Sequence, residues 1–188
     1  MRHDNICRAR KRKALTELED TWEQALAEAK QRARATGRRD IEDYLDLRRQ
    51  NDLLRRTATE WLTNTFTIIA GDANRQGASI QIETQQEHRF MLGHATMVGN
   101  KMTLRCGVRA LTIESGWPRT PRDGFIRGGG LARANLKHFG RKQSDCELLL
   151  ARSSQGAPQW LMIEKSGDQI SLTENHLREH ISILLSEV

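Results

Sequence analysis

The sequence predicts an α+β protein: an N-terminal antiparallel helical hairpin packed on a curved antiparallel β-sheet, with a C-terminal helix covering the sheet. Three observations carry this reading. Apolar residues recur at helical spacing up to about residue 70, switch to alternation from Ile80, and return to helical spacing after Glu174. The alternating region is punctuated by turn segments such as Ser153–Pro158 and Ser166–Asp168. The chain has 188 residues, 37% apolar and 29% charged, enough for one ordinary domain with a real core and exposed helices.

Residues 1–15 are expected to form a loose basic tail. The first 13 residues hold six cations and one acid, and cations in a first helical turn would oppose the helix dipole. The first helix is expected to begin after Thr16, which pairs with Glu19 as a capping box. Leu15, Leu18, Trp22, Ala25, Leu26, Ala29 and Ala33 then repeat at helical spacing, and Gly37 suits the C-terminal cap. Asp40 is a good N-cap for a second helix, with Glu42 and Asp43 in its first turn. Its apolar stripe runs through Ile41, Tyr44, Leu45, Leu54, Ala58, Trp61, Leu62, Phe66 and Ile69, and Gly71 is the expected stop. The short connection makes the two helices antiparallel neighbours, so residues 16–71 read as one helical hairpin. Leu54 and Trp61 are expected to be buried, with Arg48, Arg55 and Arg56 more exposed. The apolar overhang Trp61–Ile69 has to bury itself against a sheet or another subunit.

Residues 78–188 are expected to form the sheet, in the same compact unit as the hairpin. Ile80 to Glu83 alternates as a strand should. His88–Val98 and Lys101–Ile113 flank Gly99-Asn100, a tight-hairpin dipeptide. The alternation slips near Gly107, which reads as a bulge or bend. Leu131–Phe139 is compatible with a strand, but its Leu, Ala, Arg and Lys content favours a short internal helix ended by Gly140. Strands at Glu147–Arg152, Gln159–Lys165 and Gln169–Leu172 follow, then a last helix over Glu174–Glu187 that buries Leu177, Ile181 and Leu184.

The formal net charge is +6, and its distribution is uneven. Residues 101–142 hold ten cations and two acids, whereas residues 143–188 hold three cations and seven acids. Such asymmetry fits an acidic partner or head-to-tail self-association. Arg outnumbers Lys 23 to 7, which favours forked recognition of phosphate or carboxylate. The three cysteines, Cys7, Cys106 and Cys146, have no close spacing, so a reducing cytoplasm is the expected setting. No apolar run approaches the ~20 residues that span a bilayer, so no membrane partner is expected. The basic N-terminus has no apolar segment behind it, so no secretory signal is expected either.

The segment Gly116–Lys142 concentrates the functional signal. It carries Arg119, Arg122, Arg127, Arg133, Lys137, Arg141 and Lys142 against the single acid Asp123, with two of the three prolines and the run Gly128-Gly129-Gly130. Arg119, Arg122, Arg127, Gly128, Gly129, Gly130 and Arg133 form the candidate anion-binding site. If Leu131 opens a helix, the glycines and the helix N-terminus offer backbone N–H groups to an anion. The segment lacks the third glycine of a dinucleotide fingerprint and is not a phosphate-binding loop of the Gly-Lys-Ser/Thr kind. Its other reading is a connection whose arginines are solvated. Trp117 either pins the loop to the body or serves as a contact residue. The run Arg8–Lys13 is a second candidate for nucleic-acid contact, while the 5% aromatic content argues against a base-stacking single-strand binder.

His176 and His180 have the spacing of two ligands on one helix, but no Glu follows the first, and a solvated pair is the preferred reading. No serine sits in a nucleophile elbow and no cofactor motif is present, so neither catalysis, metal nor cofactor is expected. The leading reading is a noncatalytic module that binds nucleic-acid phosphates or another phosphate-bearing ligand. The alternative is a self-associating scaffold, a homo-oligomer or protein-interaction domain. An enzyme without a recognisable motif is the third.

Overall fold

A computed structural model describes residues 24, 27–29, 31, 32, 34–37, 39–126 and 128–186. The basic tail and most of the first helical repeat lie outside the described residues. The chain divides into two compact units, Met1–Asp52 and Leu53–Val188.

In the first unit the described residues between 24 and 35 are helical (α1). The N–H and hydroxyl of Thr36 both reach Arg32 O, and Gly37 follows at φ +70. Helix α2 spans Arg39–Arg75, and Tyr44 and Leu47 on its first turns are exposed.

In the second unit α2 runs four residues past the expected stop at Gly71. An internal glycine costs a helix only about 1 kcal/mol. The true end is better specified. Ala78 N–H reaches Ala73 O and Gly77 N–H reaches Asn74 O, with Gly77 at φ +101. This is a Schellman cap, in which a left-handed glycine lets the chain satisfy the last carbonyls. The Asn74 side chain then exchanges two hydrogen bonds with the Ile80 backbone, fixing the entry into the sheet.

Seven strands follow in one antiparallel sheet whose spatial order equals the chain order: β1 Gln81–Leu92, β2 Ala95–Cys106, β3 Arg109–Trp117, β4 Ala132–His138, β5 Cys146–Arg152, β6 Pro158–Ile163 and β7 Gln169–Ser171. Helix α3, Glu174–Leu185, closes the fold. Ala58, Leu62, Phe66, Ile69 and Ala70 of α2 and Leu177, Ile181 and Leu184 of α3 share one core with the sheet residues Met102, Leu104, Leu111, Ile113, Leu136, Leu148, Leu150 and Trp160. The Trp160 indole N–H donates to Ala58 O inside this core.

Four expectations are corrected. Leu131–Phe139 is not a helix: Ala132–His138 is the central strand β4, bonded to β3 and β5. Ala132, Ala134, Leu136 and His138 alternate into the core, and pairing on both edges overrides local helix propensity. Gly99-Asn100 is not a turn. Gly99 sits mid-strand opposite Gly116, where an added Cβ would lie 1.9 Å from Ser115 O. The hairpin turns are Gly93-His94 and Gly107-Val108, with φ of +59 and +60 at the glycines, as a type II′ turn requires at its first central position. The bulge is not near Gly107 but at Gln86-Glu87, where the β1–β2 register slips by one residue and Glu87 takes φ +57. Finally, Trp61 is 42% exposed and Leu54 half-buried. The buried stripe passes through positions 58, 62, 66 and 69, and Trp61 lies about 100° round the helix from its centre.

No helix among the described residues is long and apolar enough to cross a membrane.

Candidate functional site

The basic segment does not gather its cations at one point. Trp117 ends β3 with its ring buried, and the Arg119 guanidinium lies 3.9 Å from the ring centroid. Arg55 of α2 approaches the same ring at 5.8 Å and donates from Nε to Leu131 O at 2.8 Å. Trp117 therefore pins the loop and carries two guanidinium groups at the same time.

Asp123 closes the start of the loop. Its carboxylate accepts the Arg119 N–H at 3.2 Å and the Thr120 N–H and hydroxyl at 2.9 Å each. The Thr120 hydroxyl first, and its N–H second, hold the Asp123 carboxyl below the usual aspartate range. The loop's backbone donors at residues 119 and 120 thus already bind an anion, its own carboxylate.

Arg122 is exposed, and Arg127 lies outside the described residues. Gly128 and Gly129 are exposed at φ +83 and +73. Gly130 packs so closely on Leu149 that an added Cβ would meet its Cδ1 at 2.1 Å. Because β4 follows, no helix N-terminus stands behind the three glycines. Arg133 turns to the other side of the sheet, 3.4 Å from Glu147. Arg141 is used elsewhere: together with Arg109 it donates to the carbonyls of Ile183, Leu184 and Ser186, capping the C-terminal end of α3. Lys137 binds Glu114.

That last pair belongs to a cluster that sequence reasoning did not single out. The sheet face opposite the core carries Lys101, Glu114, Asn135 and Glu147 in register across β2 to β5. Glu114 is 8% exposed and accepts from His88 Nε2 and Lys137 Nζ, each at 2.8 Å. Burial by itself raises its pKa. The hydrogen bonds and charges of Lys137 and His88 outweigh that, so the carboxyl sits below its ordinary value. Two backbone features make the contact. The bulge at Gln86-Glu87 brings His88 onto this face, opposite Gly99. Gly99 and Gly116 then leave no side chain between His88 and Glu114. Asn135, next in the row, is 5% exposed and its Oδ1 has no hydrogen-bond partner. The available signals were two polar residues at mid-strand, where such residues pack poorly unless they serve a local purpose.

The histidine spacing on α3 has two separate explanations. His176 completes a capping box, its Nδ1 receiving the Thr173 N–H at 3.1 Å. His180 is buried, not solvated as expected, and its Nδ1 lies 2.9 Å from Nε2 of His138. Burial pushes the His180 pKa down to about 4, and the neighbouring His138 adds to the shift. Among the described residues no group of three or more His, Cys, Asp or Glu side chains is placed to hold a metal ion.

Cys106 and Cys146 are free and half-buried; burial, with the Glu147 charge, pushes the Cys146 thiol up to about 11. Comparison of the chain with protein-family models, with curated proteins and with solved structures finds no match.

Proposed function

We propose that the chain is a noncatalytic module that binds a phosphate-bearing partner, nucleic-acid backbone foremost, at the basic end of the sheet beside Trp117. The observation that carries the reading is the approach of two guanidinium groups, Arg119 and Arg55, to one indole. Guanidinium forks match phosphate oxygens. A guanidinium already stacked on a ring loses less rotamer freedom when it binds. Asp123 fixes the backbone at 119 and 120, so the side chains of Arg119 and Arg122 would make the contacts rather than backbone N–H groups. Arg127 stays in the proposed site as a reading of the sequence, since it lies outside the described residues. Gly128 to Gly130 supply turn geometry, and Arg133, tied to Glu147, contributes least. The proposed setting is the reducing cytoplasm.

The test is equilibrium binding of a short DNA duplex across a salt series. With about three phosphates neutralised, log K should fall against log salt with a slope near −3. Replacing Arg119 and Arg122 by alanine should reduce that slope by about 2 and weaken all sequences alike. Wild-type protein that fails to bind at low salt would end the reading. Unchanged binding by the double variant would move the contact to the run Arg8–Lys13.

Self-association is the second reading, favoured by a different observation. Within the second unit, Leu53, Trp61 and Ile68 of α2 are exposed. Trp61 also borders an open cleft of about 290 Å³ with Pro158, Trp160 and Leu172. Exposed large apolar side chains, one of them beside a cleft lined by Trp160 and Leu172, are the kind of feature that marks interaction sites. Mass in solution that rises with protein concentration, and falls back in a Trp61→Glu variant, would support it.

A further inference from the structure

The basic loop borders an open cavity of about 410 Å³, within the range of small-molecule sites. Its apolar lining includes Leu92 and Met97 from the β1–β2 hairpin and Phe125 and Ile126 from the loop. Arg133 and Glu147, paired with each other at 3.4 Å, stand at its polar side. That side offers N–H donors and carboxylate oxygens together.

The loop builds the edge of the cavity from its own sequence. The Asp123 carboxylate locks the turn by accepting the N–H groups of Arg119 and Thr120. Gly124 follows at φ +90, and a Cβ added there would lie 3.3 Å from Ala95. Glycine therefore lets the loop close onto the hairpin. Ile126 packs on the small cluster of Phe90, Ala95 and Met97. Phe125 stays out of that cluster: it lines the cavity and is 77% exposed. A ring at the mouth of a cavity with most of its surface in water is apolar area that a partner would cover.

The surroundings of Phe125 indicate the chemistry of that partner. Arg122 is exposed and lies three residues before the ring, at most about 11 Å along an extended chain. Arg119 stands on Trp117 just before it. A duplex stacks its bases on one another and leaves mainly phosphates for these groups. A single strand presents phosphates and unpaired bases together, and each base has a π-face and a polar edge.

We propose that the cavity takes an unpaired base, so that the ligand of the basic end is single-stranded nucleic acid. The base stacks on Phe125, its polar edge meets Arg133 and Glu147, and the adjoining phosphates meet Arg119 and Arg122. This inference rests on the phosphate-binding reading and adds the substrate class to it. The 5% aromatic content pointed the other way, but composition counts rings without placing them, and one ring beside a cavity serves one base.

The probes are a ten-nucleotide oligothymidylate and an abasic strand with the same number of phosphates, each titrated into the full chain at low salt and followed by fluorescence anisotropy. The oligothymidylate should bind about tenfold tighter than the abasic strand, the effect of stacking one base. Phe125→Ala should remove that difference and bring the two strands level, whereas Phe125→Trp should keep it. The ring is exposed, so both variants should melt close to wild type. Replacing Arg119 and Arg122 by alanine should weaken both strands alike. Equal wild-type affinity for the two strands would overturn the base site and leave the phosphate-binding reading standing. A Phe125→Ala protein that still prefers the oligothymidylate tenfold would do the same. Failure of both strands to bind at low salt would overturn the phosphate-binding reading and this inference with it.

Discussion

Replacing Glu114 with glutamine removes one negative charge from a buried position and changes almost nothing else in shape. The wild-type carboxylate takes His88 on one oxygen and Lys137 on the other. Glutamine keeps one acceptor and presents an amide N–H₂ to the other partner. A hydrogen bond to a charged group is worth about 1.5–3 kcal/mol, roughly twice a neutral one. The Lys137 side chain is 52% exposed, so water replaces much of its share when the charge is lost. Discounting that half leaves a destabilisation of about 1–2 kcal/mol at pH 7.

The same substitution has a pH signature with a defined sign. The folded Glu114 carboxyl sits below its ordinary value. Its contribution is therefore fully present above the unfolded pKa of about 4.3 and is lost as pH falls through the folded value. Urea unfolding of wild type and Glu114→Gln from pH 7 to pH 3 measures this directly. The gap should be steady down to about pH 5 and narrow below pH 4. A gap that stays constant to pH 3, or a variant within about 0.3 kcal/mol of wild type at pH 7, would refute the ion-pair account of this cluster.

Other outcomes follow from the same geometry. Leu62→Ala empties a fully buried site and should cost about 2–5 kcal/mol in urea unfolding, whereas Trp61→Ala, on the exposed side, should cost about 1 kcal/mol or less. Gly99→Ala drives a methyl into Ser115 O and should destabilise by at least about 3 kcal/mol, visible as a large drop in melting temperature. His180 is held neutral by burial, so its folded pKa of about 4 lies below the unfolded value of about 6.5. Stability should be intact above pH 6.5 and decline towards pH 4 by on the order of 2–3 kcal/mol, and His180→Leu should flatten that decline. Cys146 should label far more slowly with a thiol reagent in the native state than after unfolding, because its thiolate is scarce at neutral pH.

The α+β class and the antiparallel sheet were legible because periodicity reports burial, whereas most of the first arm of the expected N-terminal hairpin lies outside the described residues. The switch from helical to alternating spacing marked the helix–sheet boundary, and β5, β6, β7 and α3 fall within a residue or two of their expected positions. The errors came where one local signal had two physical meanings. Glycine before asparagine reads as a turn, yet Gly99 is required for close strand approach, while the turns use Gly93 and Gly107 at a type II′ position. Leu131–Phe139 carries helix-forming residues, yet its two strand neighbours decide its state. The basic segment was visible as composition, but composition does not say where a side chain points. Arg133, Lys137 and Arg141 each find a separate partner on β5, β3 and α3. The Glu114 cluster was not legible because it depends on a bulge that re-aims His88 and on two glycines that meet across strands.

The four tryptophans allow one direct test of the account. Indole N–H resonances are followed while a short duplex is added at low salt to the ¹⁵N-labelled chain. Phosphate contact at the basic end should shift the Trp117 indole most, because Arg119 and Arg55 lie against that ring. The Trp160 indole, bonded to Ala58 O in the core, should stay still. Shifts at Trp61 alone, growing with protein concentration and indifferent to the duplex, would contradict the phosphate-binding account and leave self-association in its place.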